Sequence, residues 1–446
     1  MSDFDTHESS VLVIGSGGAG LQAAIEAGKT ATVNLISKGP VGRSGATILS
    51  GADIMADGRT LHELGFAGDP ADNPEKWAED ITVEGFYLNE PDLVEVYVKE
   101  AGHRVEDLLN WGLKVKSSGD REIITTGMSI SSSLREGLKE VGSNVKKFDG
   151  IIAIDLIKDE DGVVGLIGLN VETGKINVFR AKSVVIATGG WHRAYSFNAG
   201  ADELTGDGQS MAYRAGAELI DMEMVTFCPN IMLHPPRHRG SLLFYVLPGN
   251  LVNSRGDAIM NWENPNVKKL SDTTEWNKLL LSKASAREVM EGRGSPNNGV
   301  YFSMKHMPTN LFEAQQKMLP DWKFQGDDFS GIMEKMDKGY AAEVGPAAEY
   351  FEGGIRINSK CETSIPGLYA AGECTGGLFG ANRVAAATTE MVVQGAVAGR
   401  NAAKKATEST SLRQIPDQES KMLANGINKL LTGGSGNRPG SIRKQL

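Results

Sequence analysis

The sequence is poor in cysteine, in clustered basic residues and in long apolar runs. Its three cysteines, Cys228, Cys361 and Cys374, form no C-x-x-C pair, so the pattern encodes neither a disulfide framework nor an iron–sulfur site. A formal net charge of −10 without a Lys/Arg cluster argues against nucleic-acid binding. No apolar run approaches the roughly 18 residues that a membrane-spanning helix needs. We therefore expect a cytoplasmic chain with no metal site and no transmembrane segment, which could still lie at the periphery of a membrane complex.

Glycine, by contrast, is abundant, with 54 among 446 residues, and the first glycine cluster forms a motif. The apolar run Val11–Ile14 predicts a short buried strand, and Gly15, Gly17 and Gly20 follow it as G-x-G-x-x-G before the helical stretch LQAAI. Such glycines allow a tight turn and let backbone N–H groups approach a pyrophosphate at the positive end of the helix. The motif predicts a dinucleotide-binding unit, although a glycine-rich turn with no ligand has the same pattern.

Segments of similar character recur late in the chain, which predicts one nucleotide-binding domain with an insertion. The segments that resemble strands of this fold are Thr32–Ser37, Ser183–Gly190 and Gly367–Gly377. A small-residue helix is predicted from Ala385 to Ala403. Residues 150–182 alternate β-type runs with Asp-Gly and Thr-Gly turns, which predicts an antiparallel sheet. The Pro-, Asn-, Trp- and Met-rich stretch from about Glu223 to Gly345 predicts an inserted second domain.

The residues that follow the predicted strands indicate which dinucleotide binds. An NAD-binding fold places an acidic residue about 20 residues after the glycines to accept a hydrogen bond from the ribose. Here that place is taken by Ser37 and Lys38. Glu373, which follows a predicted strand and turn, is suited to hydrogen-bond a polyhydroxy chain such as the ribityl of a flavin. Together these features favour FAD.

Seven motifs in order and approximate spacing resemble the fumarate reductase/succinate dehydrogenase flavoprotein family, to which L-aspartate oxidase is also similar. They are VLVIGSGGAGLQAAIEA, ISKGPVGRSGAT, VVIATGG, TGDGQSMAYRAGAEL, FEGGIRIN, IPGLYAAGEC and GANRV, and they extend from about Val11 to Arg400. The resemblance implies an FAD-dependent oxidoreductase that transfers hydride between flavin N5 and a C–C bond next to a carboxylate or carbonyl. A basic side chain exchanges a proton at the neighbouring carbon.

The resemblance implies an α/β fold, a Rossmann-like FAD-binding domain with an inserted α+β capping domain. We predict residues 1–222 and 346–432 for the FAD-binding domain and residues 223–345 for the capping domain. Residues 433–446 are predicted to be a linker and the start of a helical C-terminal domain that family members contain. The implied partners are a small-molecule carboxylate substrate and an iron–sulfur or other electron-transfer subunit on another chain.

The resemblance also implies which residues bind FAD. Those at the pyrophosphate are Gly15, Gly17, Gly18 and Gly20. Ser37 and Lys38 are expected near the adenosine half, and Ser44 and Thr47 near the phosphate and ring. Asp207 and Glu373 are expected on the flavin side. The remaining predicted FAD contacts are Gly45, Ala187, Thr188, Gly189, Gly372 and Thr388.

One departure from the family concerns how FAD is attached. Membrane-complex members attach FAD covalently through a histidine just after an Arg-Ser pair. In this chain Gly45 follows Arg43-Ser44. Because glycine has no side chain that could form the bond, we expect FAD to be held non-covalently.

Other departures concern the predicted catalytic residues. Arg383 of GANR is expected to bind a substrate carboxylate with its planar fork. Lys278 is aligned near the family's proton-shuttling arginine, and Lys283 and Arg287 are its alternatives. Glu349 stands where the family has a histidine that binds a dicarboxylate. A carboxylate there would repel a dianion such as fumarate and favour a monocarboxylate or an amine-bearing substrate, unless Glu349 is protonated or paired with a cation.

Two further residues concern the dicarboxylate-binding histidines that the family has and this chain lacks. Cys228 stands where the family has the other dicarboxylate-binding histidine, and we expect it to be a buried structural thiol. His234 is a candidate replacement donor, with a solvated loop position as the alternative.

Two other functions stay open, an amino-acid oxidase or dehydrogenase of the L-aspartate oxidase type and an electron-transfer flavoprotein subunit with a decayed substrate site.

Overall fold

The structure, a computed structural model, describes most of the chain. The described residues are 4–243, 251–260, 274–305, 313, 316–317, 319–320, 323–324, 328–383, 386–409, 411–416, 423–427 and 429. The predicted linker and helical start at residues 433–446 lie outside the described residues.

The strands of the described residues fall into four sheets. In chain order they are β1 (Asp5–Ile14), β2 (Val33–Ile36), β3 (Gly51–Met55), β4 (Ser117–Ser118), β5 (Glu122–Thr126), β6 (Val145–Phe148), β7 (Ile151–Asp159), β8 (Gly162–Asn170), β9 (Ile176–Ile186), β10 (Leu219–Ile220), β11 (Val225–His234), β12 (Leu251–Val252), β13 (Val300–Phe302), β14 (Ala342–Phe351), β15 (Gly354–Arg356), β16 (Leu368–Ala370) and β17 (Thr375–Gly376).

The helices are distributed along the whole described chain. They are α1 (Gly18–Gly28), α2 (Ala46–Leu49), α3 (Gly58–Glu63), α4 (Pro74–Glu84), α5 (Pro91–Asn110), α6 (Gly127–Glu140), α7 (Asp207–Ala215), α8 (Thr274–Met290), α9 (Ser330–Asp337) and α10 (Ala387–Glu408), with 3₁₀ turns at Gly142–Asn144, His192–Ala194 and Pro236–His238. None of the described helices is long and apolar enough to cross a membrane.

The largest sheet has the order β6-β2-β1-β9-β8-β7, and β16 also pairs with β9. Strands β6, β2, β1, β9 and β16 pair in parallel, so their carboxyl ends meet at one edge, where open α/β sheets bind ligands. Strands β7, β8 and β9 pair antiparallel, which confirms the sheet predicted for residues 150–182. The prediction separated this sheet from the strand at Ser183–Gly190, whereas β9 is one continuous strand that belongs to both parts.

The small-residue helix predicted at Ala385–Ala403 is α10, which packs against α1 below the glycine motif. It begins at Ala387 and continues to Glu408. A Cβ on Gly399 would lie 2.3 Å from the Ala23 carbonyl oxygen, and one on Gly395 would lie 2.5 Å from the Ala19 carbonyl oxygen. Small residues are therefore needed where the two backbones meet.

A separate small sheet has the order β11-β14-β13-β12; β11, β12 and β13 lie in the segment predicted as a capping domain, and β14 crosses the boundary predicted at residue 345. A second hydrophobic core lies between this sheet and its helices, formed by residues such as Met232, Leu281, Phe302 and Phe329. Strand β14 has an irregular register against β11, because Tyr350 pairs with Thr226 and Ala348 pairs with Phe227, which leaves Glu349 between them at a β-bulge. Bulges of this kind change the direction in which a side chain points.

Candidate functional site

The glycine motif forms a tight turn between β1 and α1. Gly15 has φ of +101°, and a Cβ on it would lie 2.2 Å from the Ala187 carbonyl oxygen. A Cβ on Gly20 would lie 1.9 Å from the Gly15 carbonyl oxygen. These two glycines are therefore required by the packing of the chain against itself.

Gly17 and Gly45 differ from Gly15 and Gly20 because a Cβ on either of them would point into a cavity rather than into the chain. A Cβ on Gly17 would meet only Thr47 Oγ1, at 3.4 Å, and a Cβ on Gly45 would have no neighbour within 4 Å. The Thr47 hydroxyl also accepts a hydrogen bond of 3.0 Å from the Gly18 backbone N–H. The helix N-terminus and its N–H groups thus border a space that the chain itself leaves open.

This cavity has a volume of about 810 Å³ and extends along the carboxyl edge of the sheet. It is lined by every residue that the sequence analysis assigned to the cofactor except Gly20, namely Gly15, Gly17, Gly18, Ser37, Lys38, Ser44, Gly45, Thr47, Ala187, Thr188, Gly189, Asp207, Gly372, Glu373 and Thr388. Arg383, Lys278 and Glu349 line the same cavity. The residues predicted for cofactor and substrate therefore share one continuous space.

Lys38 and Asp207, which are expected near opposite ends of FAD, lie together in the structure. Lys38 Nζ lies 2.8 Å from Asp207 Oδ2 and 2.8 Å from Thr205 Oγ1. The sequence analysis placed Lys38 near the adenosine half and Asp207 on the flavin side. Because the two side chains form an ion pair, the expectations that place them at opposite ends of an extended dinucleotide cannot both hold.

Glu373 and Thr188 leave buried polar atoms without a hydrogen-bond partner among the described residues. These atoms are Glu373 Oε1 and Thr188 Oγ1, in residues that line the cavity. The other Glu373 oxygen accepts a hydrogen bond of 3.2 Å from the Gly190 backbone N–H. Burial raises the pKa of Glu373 to about 8, so at neutral pH its carboxyl is largely protonated and able to donate as well as accept. Both orphaned atoms suit a ligand rich in hydroxyl groups.

At the other end of the cavity, Lys278 and Glu349 form an ion pair. Lys278 Nζ lies 3.1 Å from Glu349 Oε2, and both side chains are largely buried. Burial alone would raise the pKa of Glu349, but the charges of Lys278 and Arg383 together with the Lys278 hydrogen bond outweigh it and hold the pKa below its ordinary value. Glu349 is therefore ionised, and the alternative that it pairs with a cation is the one that the structure supports.

Arg383 is positioned by an aromatic ring. Its guanidinium carbon lies 4.7 Å from the centroid of the Tyr350 ring, within the range of a cation–π contact. The Tyr350 hydroxyl in turn hydrogen-bonds Glu390 on α10. Because Glu349 sits at the bulge of β14, the consecutive residues Glu349 and Tyr350 both line the cavity instead of facing opposite sides of the strand.

His192 is a cavity residue that the sequence reasoning missed. Its Nε2 lies 2.9 Å from the Glu349 carbonyl oxygen, and burial lowers its pKa, so the ring is neutral at pH 7. With Nε2 donating to that carbonyl, Nδ1 carries a lone pair. The only sequence signal was its place directly after the strand-and-glycine motif VVIATGG.

The remaining candidates lie outside this cavity. Lys283 and Arg287 are exposed on α8 and do not line it, so only Lys278 of the three alternatives approaches Arg383 and Glu349. His234 is exposed at the end of β11 and does not line it either. Cys228 is buried beside Ile231 and Ala347, with its thiol 3.0 Å from Asn230 Oδ1, as expected of a structural thiol.

Comparison with known proteins defines the class. A family model described as an FAD binding domain matches residues 10–123 and 115–389, and the chain belongs to this family. A fumarate reductase (CoM/CoB) subunit of Methanothermobacter marburgensis is 32% identical, over 99% of this chain and 80% of that protein. L-aspartate oxidase of Acinetobacter baylyi is 28% identical, over 94% of this chain and 77% of that protein.

Solved structures agree with the sequence relatives. Sdh1 of Mycobacterium smegmatis in complex with UQ1 has a TM-score of 0.83 at 27% identity, covering 99% of this chain and 76% of that chain. A variant of quinol fumarate reductase FrdA of E. coli has a TM-score of 0.78 at 27% identity, covering 99% of this chain and 77% of that chain. The chain is thus an FAD-dependent oxidoreductase of the fumarate reductase/succinate dehydrogenase flavoprotein type, which confirms the predicted family, fold class and cofactor.

The cavity fits FAD. Its glycine-lined end offers backbone N–H groups and a positive helix terminus to a pyrophosphate, and the unpartnered Glu373 and Thr188 oxygens suit the ribityl hydroxyls.

We expect Gly17→Val to fold but to lose FAD. Gly17 has φ of −67°, which valine adopts, and its methyl groups would enter the cavity rather than clash with the chain. The flavin-to-protein absorbance ratio of the purified variant should fall about tenfold or more, with unchanged circular dichroism. Gly331→Val is the control, because Gly331 is exposed and a Cβ there would meet nothing within 4 Å. Full flavin content in Gly17→Val would contradict this role.

We also expect acid precipitation of the holoprotein to release essentially all of its flavin. Gly45 lies in the cavity with φ of +82° and provides no atom for a covalent link. The measurement compares flavin absorbance in the supernatant and the pellet. Flavin that stays with the pellet after washing would show a covalent bond and disprove the non-covalent assignment.

Proposed function

We propose that the protein reduces or oxidises the C–C bond next to the carboxylate of a small acid. The observation that carries this proposal is the gathering of Arg383, Lys278 and Glu349 in the cavity that also contains the glycine cradle. FAD, when bound, supplies the hydride donor or acceptor at N5. The chain therefore has to bind the acid, orient it and exchange one proton.

Arg383 is assigned to the substrate carboxylate. Its planar guanidinium donates two parallel hydrogen bonds, which fixes both the position and the orientation of the acid. The cation–π contact with Tyr350 and the bond from Tyr350 to Glu390 limit the freedom of the guanidinium. A clamp held in this way contributes to rate by keeping the reacting carbon in place.

Lys278 is assigned to the proton exchange at the carbon next to the carboxylate. The ionised Glu349 stabilises the ammonium form of Lys278, the form that can donate a proton during reduction. In oxidation the same nitrogen would take the proton in its neutral amine form, since an ammonium has no lone pair. Glu349 touches Lys278 and is therefore a positioning residue for this step.

The charges of this end of the cavity favour a monocarboxylate. Arg383 and Lys278 contribute two positive charges and Glu349 one negative charge, so a single carboxylate balances these three side chains. Burial raises the pKa of Asp53, which lines the same cavity, and so favours its neutral form. A dianion such as fumarate would bring a second negative charge close to Glu349. Because Glu349 is already paired with Lys278, the penalty for a dianion is the net negative charge that it would leave in the site, not the full repulsion of an unpaired carboxylate.

The alternative functions receive less support from this arrangement. An amino-acid oxidase would use Glu349 to bind a substrate ammonium, but Lys278 already occupies that carboxylate. An electron-transfer subunit that binds no substrate would not need an arginine whose position is fixed by Tyr350 and Glu390. The exchange of electrons with a separate chain remains part of the proposal, since the relative from Methanothermobacter marburgensis is itself named as a subunit.

We expect Arg383→Lys to retain FAD and lose turnover. Lysine keeps the charge but lacks the two-pronged geometry, so reoxidation of the dithionite-reduced flavin by 2-enoic acids should slow by about 100-fold or more. The measurement is stopped-flow absorbance with a panel of enoates and imino acids. Wild-type rates in Arg383→Lys would contradict the clamp, and reoxidation by imino acids alone would favour the amino-acid alternative.

We expect Glu349→Gln to shift preference towards dianions. Removing the negative charge raises the net charge of the site, so the affinity for fumarate relative to crotonate should rise about tenfold or more, within the range for a charged hydrogen bond. Glu136→Gln is the control, since Glu136 also pairs with a lysine, Lys139, but is exposed and does not line this cavity. An unchanged fumarate-to-crotonate ratio would show that Glu349 does not set this preference.

A further inference from the structure

A second cavity lies beside the first, on the far side of Lys278. It has a volume of about 590 Å³, and Lys278 lines both cavities. The Lys278 ammonium contacts Glu349, which lines only the first cavity. The methylene stem is therefore the part of Lys278 left to face the second cavity, and an aliphatic stem is compatible with an apolar ligand.

The loop that carries Arg383 forms the rest of the partition. Ala381 and Asn382 line the second cavity, while Arg383, the next residue, lines the first. A carboxylate at Arg383 would thus lie one residue along the chain from the lining of the second cavity. A group attached to the reacting carbons near Lys278 would extend in that direction.

The wall of the second cavity is mostly apolar. Its apolar residues include Phe86, Val225, Phe227, Ala286, Val289 and Met290. The charged side chains among its described lining residues are Lys278 and Lys283, and Lys283 is exposed on the surface of α8. Because the described lining contains no carboxylate, neither an alkyl chain nor an aromatic ring would have to desolvate an acid there.

Phe86 is held in this wall by a strained turn. Phe86 and Tyr87 both have left-handed backbone conformations, with φ of +60° and +59°. The turn is fastened to the Arg383 loop, because the Glu90 N–H donates to the Gly377 carbonyl at 2.7 Å and Asn89 Nδ2 donates to the Leu378 carbonyl at 2.8 Å. Strain of this kind persists where the surrounding structure enforces it, often at ligand sites.

We propose that the second cavity binds the apolar tail of the substrate. The substrate class is then a monocarboxylic acid with an alkyl or aryl group of several carbons beyond the reacting bond, rather than a four-carbon diacid. This inference rests on the proposed function, which places the carboxylate at Arg383. Ala286, on α8, is an exposed residue that lines the second cavity, and a larger side chain there would take up part of the space that the tail needs.

A binding experiment tests this inference without requiring catalytic turnover. Butanoate, octanoate and succinate are titrated calorimetrically into the FAD-loaded protein. Each buried methylene tightens binding by about fourfold, so octanoate should bind at least about tenfold more tightly than butanoate. Ala286→Trp should remove this difference and leave butanoate unchanged. Ala71→Trp, at an exposed alanine that lines neither cavity, should behave as wild type.

A second variant guards against misfolding of Ala286→Trp. Met290 is 87% exposed at the rim of the cavity, so Met290→Asp should fold, and its charge should weaken octanoate binding several-fold without affecting butanoate. Equal affinities of butanoate and octanoate for the wild type, or tighter binding of succinate than of octanoate, would overturn the inference. Equal weakening of butanoate and octanoate by Ala286→Trp and Met290→Asp would do the same.

A turnover experiment distinguishes a failure of this inference from a failure of the proposed function. Crotonate and trans-2-octenoate are compared as oxidants of the dithionite-reduced flavin, and octenoate should have the lower KM in the wild type but not in Ala286→Trp. Chain-length-dependent binding without any reoxidation would support the cavity assignment and refute the proposed chemistry. Reoxidation with no dependence on chain length or on residue 286 would support the chemistry and overturn the assignment of the second cavity.

Discussion

The buried ion pair between Lys278 and Glu349 is the interaction on which the chemistry of the site depends. Removing two charges from water is costly, and the cost is repaid only when the partners stay together. The pair joins α8, in the segment predicted as the capping domain, to the part of β14 that lies beyond the predicted boundary at residue 345, so only the fold brings its two members together. It keeps the Lys278 ammonium in the cavity that Arg383 also lines and offsets the ammonium charge with that of Glu349, which is the basis on which we propose a single carboxylate as the ligand.

A local irregularity of the sheet makes this pair possible. In a regular strand Glu349 and Tyr350 would point to opposite faces, and only one of them could reach the cavity. The bulge of β14 opposite Thr226 and Phe227 allows Glu349 to meet Lys278 while Tyr350 supports Arg383. Changing the bulge would therefore disturb proton exchange and carboxylate binding at once.

The sequence predicted the parts of the site that local chemistry determines and missed the parts that depend on distant contacts. The glycine loop, the strands before Ser37 and Thr188, and the Arg383 motif each have a local pattern, and all line the cavity. The Lys38–Asp207 pair joins residues far apart in the chain, so no local pattern shows that they share one end of the cavity. The bulge at Glu349 likewise depends on the register of β11, which the residues around Glu349 do not specify.

The choice of lysine at position 278 links the two cavities. The family resemblance places a proton-shuttling arginine here, whose wide planar head would fill more of the space beside Glu349. A lysine concentrates its charge in one small group and leaves a flexible aliphatic stem between the reacting centre and the apolar wall of Phe227 and Ala286. The same side chain can then hold a proton at one cavity and border an apolar ligand at the other. In the proposed function, proton exchange and the choice of substrate tail are therefore coupled through a single residue.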